Sequence, residues 1–101
     1  MKTMMTTVAA LMLVSGSAWA DAAAQGEGLY MSRGCVGCHG MAGKSNNEQM
    51  YPSINGKDAG YVAAAIAAFK SGQRQNPMMS PMAMTVTEAE AAAIDAYLVG
   101  Q

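Results

Sequence analysis

Histidine occurs once and cysteine twice in 101 residues. A structural zinc site takes four protein ligands as a rule, so so thin a supply speaks against one. The cysteines, Cys35 and Cys38, stand so close together that no long loop can be closed by a disulfide between them, and a bridge across so short a span would add little stability. Charged residues make up only 13% of the chain, and none of the basic ones form the stripe that a phosphate backbone would need, which argues against nucleic acid. β-Branched residues are sparse beside Ala, Gly and Met, a balance that disfavours sheets and favours helices joined by glycine-rich loops. No apolar run approaches the ~20 residues of a membrane-spanning helix, and no internal repeat is visible.

The N-terminus carries an address. Lys2 supplies a positive start, Val8 to Val14 is a short apolar run, and Ala18-Trp19-Ala20 places small residues where a signal peptidase acts. Residues 1–20 are therefore expected to be a cleaved signal peptide, and residues 21–101 a single exported domain in the periplasm. A domain of that size buries only about 60% of its unfolded surface and needs a cofactor, metal or disulfide to complete its core.

Three segments of the expected domain have helical signatures. The first runs from Asp21, a candidate N-cap, through Ala22-Ala23-Ala24 to about Ser32. The second begins near Asp58, carries Val62, Ile66 and Phe69 at helical spacing, and stops at Gly72. The third opens with Thr87-Glu88-Ala89-Glu90, a capping box, and ends at Gly100. The stretches from Gly40 to Lys57 and from Gln73 to Val86 show no periodicity, and long unpatterned loops in a small domain are usually functional. The fold class is all-α, with three main helices and long loops that wrap a ligand.

The ligand is named by Cys35-Val36-Gly37-Cys38-His39. Two thiols at this spacing can each add to a vinyl group of a haem, and the adjoining imidazole is placed to bind the iron. A thioredoxin-like pair would also use Cys-x-x-Cys, but within a strand–helix–strand context that is missing here. Because His39 is the only histidine, a second imidazole from this chain is ruled out, and the sixth position falls to a methionine, to another group, or stays open. Met78, Met79, Met82 and Met84 crowd one loop between Pro77 and Val86. Methionine also fills irregular core gaps, and spacing alone leaves the choice among the four undecided.

Taken in order, Gly26 and Tyr30, the Cys-x-x-Cys-His-Gly motif, Tyr51-Pro52-x-Ile54-x-Gly56, Gly72-x-Arg74, the methionine loop and the closing Ala96-Tyr97-Leu98 resemble a class I cytochrome c of the small bacterial monohaem kind. The resemblance implies the cytochrome c fold around one covalently attached haem c, with thioethers to Cys35 and Cys38 and His39 as an axial iron ligand. In that family the axial methionine lies about eight residues before the N-cap of the last helix; counting back from Thr87 gives Met79, with Met82 as runner-up. It also implies that the Pro52 carbonyl accepts the second ring N–H of His39, and that Gly26 and Tyr30 pack against Ala93 and Tyr97. Gly34 is an extra residue between first helix and haem motif. Gln73 and Arg74 are candidates for the haem propionates, and Val36, Met41 and Ala42 for the rim of the haem edge.

A haem with both axial positions filled suits electron transfer and not substrate activation, so the chain is read as a soluble one-electron carrier and not an enzyme. The alternative is the haem-c electron-transfer subunit of a multi-subunit periplasmic oxidoreductase. A third reading, a copper(I) site in the methionine loop, leaves the cysteine–histidine motif without a role. Partners are expected to be redox proteins, such as a membrane cytochrome complex or a terminal oxidase or reductase, met in brief docking by a monomer.

Overall fold

The computed structural model describes residues 8–101, with side chains from Ala20 onward, so the expected signal peptide falls, up to position 19, outside the residues described in full. All regular elements among the described residues are helical: α1 (Val8–Ser32), α2 (Cys35–His39), α3 (Tyr61–Ser71), α4 (Met79–Ala83) and α5 (Glu88–Val99), with a 3-10 turn at Met41–Gly43. The three long helices match the three expected from sequence. The two differences at their starts, and the short α4, have physical causes.

α1 does not begin at Asp21 but runs through it from Val8. Alanine is the strongest helix former, and the alanines on both sides of Asp21 carry the helix across it. α3 begins at Tyr61 and not near Asp58, whose carbonyl merely accepts the Tyr61 N–H at 3.0 Å. The cap comes from far away in sequence. Asp95, buried within α5, accepts the backbone N–H of Gly60 at 2.8 Å, of Val62 at 2.8 Å and of Ala63 at 3.1 Å. These are donors that the first turn of α3 leaves without helical partners, so a carboxylate there also meets the positive end of the helix dipole.

α5 starts as expected. Thr87 Oγ1 accepts the Glu90 N–H at 3.1 Å, and Glu90 Oε1 accepts the Thr87 N–H at 2.9 Å. α3 ends on Gly72, which takes the left-handed conformation that closes a helix (φ 87°).

α1 and α5 cross closely because Gly26 has no side chain. A Cβ there would sit 1.9 Å from the Ala93 carbonyl oxygen. Alongside, the Tyr30 and Tyr97 rings pack tilted at 51° with centroids 5.7 Å apart, as the resemblance implies. Tyr30, Ile94 and Leu98 are completely buried at this crossing, and Val62 and Ile66 of α3 join them with Ala83, Val86 and Ala91. Phe69, Ile54, Cys35 and Val36 lie half-buried against the same cluster. The haem motif thus rests on one border of the core, and α4 on another.

Candidate functional site

Arg33 and Gly34 turn the chain out of α1, and α2 then presents Cys35 and Cys38 one helical turn apart, hence on one face, with His39 at its end. Both thiols are free and half-buried. Burial pushes the Cys35 thiol above its ordinary range, so the unattached chain holds it protonated at neutral pH.

The imidazole of His39 is buried, and its Nδ1–H donates to the Pro52 carbonyl at 2.7 Å. That bond fixes the tautomer, leaves the Nε2 lone pair for a ligand and makes the ring a stronger donor. Pro52 is carried on a loop with its own fastening. Glu48 accepts the Ser53 hydroxyl at 2.8 Å and the Ser53 N–H at 3.1 Å, while Ser53 Oγ accepts the Ser45 N–H at 3.0 Å. The two hydrogen bonds from Ser53 hold the Glu48 carboxyl below the ordinary carboxylate range.

After His39 the chain must reverse, and Gly40 makes this feasible. It has φ 86°, and a Cβ at that position would lie 2.0 Å from the Lys44 carbonyl oxygen. Its own carbonyl accepts the Tyr30 hydroxyl at 2.5 Å. Burial raises that phenol to about 12, so it stays a donor at every physiological pH. The helix crossing and the haem motif are therefore joined through one side chain.

The methionine loop is better ordered than its composition suggests. Asn76 Oδ1 accepts the N–H groups of Met78 at 2.8 Å and Met79 at 3.0 Å, and the Asn76 carbonyl accepts the Ser80 N–H at 2.9 Å. Asn76 thereby starts α4, and Pro81 sits in its first turn, where a missing N–H costs nothing. Residues four apart share a helix face. Met79 is accordingly half-buried on the side of the buried Ala83, whereas Met78, Met82 and Met84 are 54%, 39% and 66% exposed. The tip of Met82 nevertheless reaches back toward Gly34, its Cε lying 4.0 Å from where a Cβ would stand.

Arg33, which the sequence reading passed over, fastens this loop to the haem motif. Its guanidinium donates to the Thr85 carbonyl and to Glu90 Oε2, the latter at 2.6 Å. No local pattern could have revealed a contact across more than half of the chain; Asn76, by contrast, is a helix-capping residue type ahead of a short apolar run.

Two free thiols beside an imidazole with one nitrogen engaged and the other left over are a donor set that fits an iron porphyrin held covalently, and a thioether would suit the remaining iron position. Two concavities elsewhere, of about 320 Å³ beside Ile66 and Ala91 and of about 700 Å³ beside Phe69 and Pro77, are not lined by any of these donors and are not its site.

Helical architecture and donor set together are those of a c-type cytochrome. The chain belongs to the cytochrome c family, whose model matches residues 23–101. Members of that family transfer electrons, and the cofactor here is haem c, attached covalently. The chain is 36% identical to cytochrome c-554(548) of Halomonas halodenitrificans, over 66% of this chain and 83% of the relative. It is 32% identical to the cytochrome subunit of sulfide dehydrogenase of Chlorobaculum tepidum, over 92% of both. The "Thiosulfate dehydrogenase electron acceptor" of Stutzerimonas stutzeri is 34% identical over 75% of this chain, which spans only 38% of that protein. In three dimensions the chain resembles reduced cytochrome c4 from Pseudomonas stutzeri, with TM-score 0.69 and 28% identity, over 79% of this chain and 48% of that one. No helix among the described residues is long and apolar enough to cross a membrane.

Proposed function

We propose that this protein is an exported one-electron carrier that works in the periplasm after loss of residues 1–20, without enzymatic activity of its own. Cys35 and Cys38 would anchor the haem as thioethers, and His39 Nε2 and Met79 Sδ would hold its iron, with the Pro52 carbonyl orienting the imidazole. The observation that carries this reading is the His39–Pro52 hydrogen bond at 2.7 Å, which leaves Nε2 as the free donor beside two free thiols.

Haem c, when bound, supplies the iron(II)/iron(III) couple. The chain's own residues determine the rest. His39 is locked in one tautomer, so ligation need not change with redox state. Met79 as a thioether raises the potential above that of a second nitrogen ligand. With His39 and Met79 both on the iron, water and small substrates would be kept from the metal, which would suit electron exchange over activation chemistry. Redox partner proteins, for example a membrane cytochrome complex or a terminal oxidase or reductase, would meet a monomer transiently at the edge near Cys35 and Cys38; exposed Met41 stands at its rim, with half-buried Val36 and Ala42.

A second reading is favoured by the match over 92% of the Chlorobaculum tepidum cytochrome subunit of sulfide dehydrogenase. In it the chain is the electron-accepting subunit beside a catalytic partner. Purification from the native host decides between the two: a monomer on gel filtration supports the carrier, and a stoichiometric partner supports the subunit. The haem assignment is tested by the optical spectrum of the reduced protein. A sharp c-type α band and colour that resists acid-acetone extraction are expected, and extractable colour would overturn the thioether anchors.

A further inference from the structure

Among the described residues, the guanidinium hydrogen-bonded to the end of the methionine loop comes from the residue just before the haem-motif turn. Arg33 donates through Nη1 to the Thr85 carbonyl and through Nη2 to Glu90 Oε2 at 2.6 Å. Glu90 is not free to drift, because its other oxygen accepts the Thr87 N–H at 2.9 Å within the capping box. The carbonyl of Thr85 belongs to the segment that leaves α4, where the Thr85 N–H and hydroxyl both donate to the Met82 carbonyl, at 3.1 Å and 2.7 Å. A single planar fork therefore spans from the start of the haem motif to the end of α4 and to the cap of α5.

From this we infer that Arg33 is a positioning residue, a strap that keeps the methionine segment closed over the metal by tying Thr85 and Glu90 to the chain that precedes Cys35. The inference rests on the axial role of Met79 proposed above. The argument is one of degrees of freedom. His39 would hold the metal from a backbone that thioethers at Cys35 and Cys38 would fix. Met79 would hold it from a five-residue helix, α4, with no covalent tie to the cofactor. α4 must be held from outside. At its leading end the hydrogen bonds of Asn76 and Ser80 stay within the segment: Asn76 N–H to Ser80 Oγ at 3.1 Å, Ser80 N–H to the Asn76 carbonyl at 2.9 Å, and the Met78 and Met79 N–H groups to Asn76 Oδ1. Its trailing end is fastened to other elements by Arg33 and by Lys70, whose ammonium donates to the Val86 carbonyl at 2.5 Å. Lys70 reaches the α5 side of the segment, while among the described residues the side-chain hydrogen bonds that tie it to the chain just before the haem motif come from Arg33.

Arginine suits this task better than lysine because its planar fork serves two acceptors at once. Its half-exposed position keeps the pair itself modest in energy. A modest term is still decisive for a local opening, since about 1 kcal/mol changes an open-to-closed ratio roughly fivefold.

The test uses the intact holoprotein and imidazole as a probe, because exogenous imidazole binds the iron only while the methionine is off. Its apparent affinity therefore reports the open population. Arg33→Gln is expected to bind imidazole roughly fivefold more tightly than wild type, and to lose the near-infrared-edge charge-transfer band of the oxidised form at lower temperature. Arg33→Lys should fall between the two. Glu90→Gln, which keeps an acceptor for the Thr87 N–H, should reproduce part of the effect from the other side and serves if the arginine variants fold poorly. Global unfolding in denaturant should move much less than imidazole affinity. Unchanged imidazole affinity in both Arg33→Gln and Glu90→Gln overturns the inference, as does a change no larger than that in global stability. A wild-type protein that never shows the charge-transfer band would instead sink the Met79 assignment on which the strap depends.

Discussion

Asp95 Oδ1, buried on α5, accepts at 2.8 Å the backbone N–H of Val62, 33 residues earlier in the sequence, and so caps the start of α3. Two further N–H groups, of Gly60 and Ala63, point to the same carboxylate. Replacing Asp95 with Ala leaves these donors without a partner, one of them buried, and is expected to cost about 2–4 kcal/mol. Asp58→Ala, at the place where the sequence pattern suggests the helix start, should change stability by less than about 0.5 kcal/mol. Urea unfolding of the two holoprotein variants makes the comparison.

The four loop methionines should separate cleanly by spectroscopy. Met79→Ala is expected to abolish the near-infrared-edge band of the oxidised protein and to lower its midpoint potential, because a thioether ligand is lost. Met78→Ala and Met84→Ala, at exposed positions, should leave the band in place. Met82→Ala should do the same; loss of the band there and its retention in Met79→Ala would transfer the axial role to Met82.

Gly26 and Gly28 lie on the same helix and should respond in opposite directions to the same methyl group. At Gly26 a Cβ would fall 1.9 Å from the Ala93 carbonyl oxygen, so Gly26→Ala must push α1 and α5 apart. A loss of about 1–3 kcal/mol is expected. At Gly28 there is nothing within 4 Å, and Gly28→Ala should stabilise the helix by up to about 1 kcal/mol. Thermal melts followed by circular dichroism report both.

The Glu48–Ser53 fastening carries a pH signature. Hydrogen bonds from the Ser53 hydroxyl and N–H depress the Glu48 carboxyl in the folded chain. A depressed carboxylate contributes its stabilisation in full above its unfolded value and loses it as pH falls through the lowered folded value. The Ser53 amide resonance should therefore be constant from neutral pH down to the ordinary carboxylate range, and should shift only below it. Glu48→Gln should remove this acid transition while leaving the His39–Pro52 contact detectable at neutral pH.

Features set by neighbouring residues could be read directly from the sequence. The capping box of α5 needs only Thr87 and Glu90, and the stop of α3 needs only Gly72. The cysteine–histidine motif is likewise local, and the close approach at Gly26 followed from the family resemblance. What escaped the sequence was of two kinds. Long-range partners such as Asp95 for α3 and Arg33 for Thr85 leave no periodic trace, because nothing near either residue specifies its acceptor or donor. The other kind was a helix hidden behind a breaker. Pro81 reads as a loop residue, yet in the first turn of α4 its absent N–H is not needed, and Asn76 starts that turn with its side chain.

The crossing of α1 and α5 joins two helices that lie far apart in the sequence, and this bears on the order in which the core can form. α1 packs mainly against α5 and much less against α2, so the core stays incomplete until α5 is available. Closing so large a loop also slows collapse compared with neighbouring-helix contacts. A polypeptide built in this way stays open to rearrangement until α5 docks.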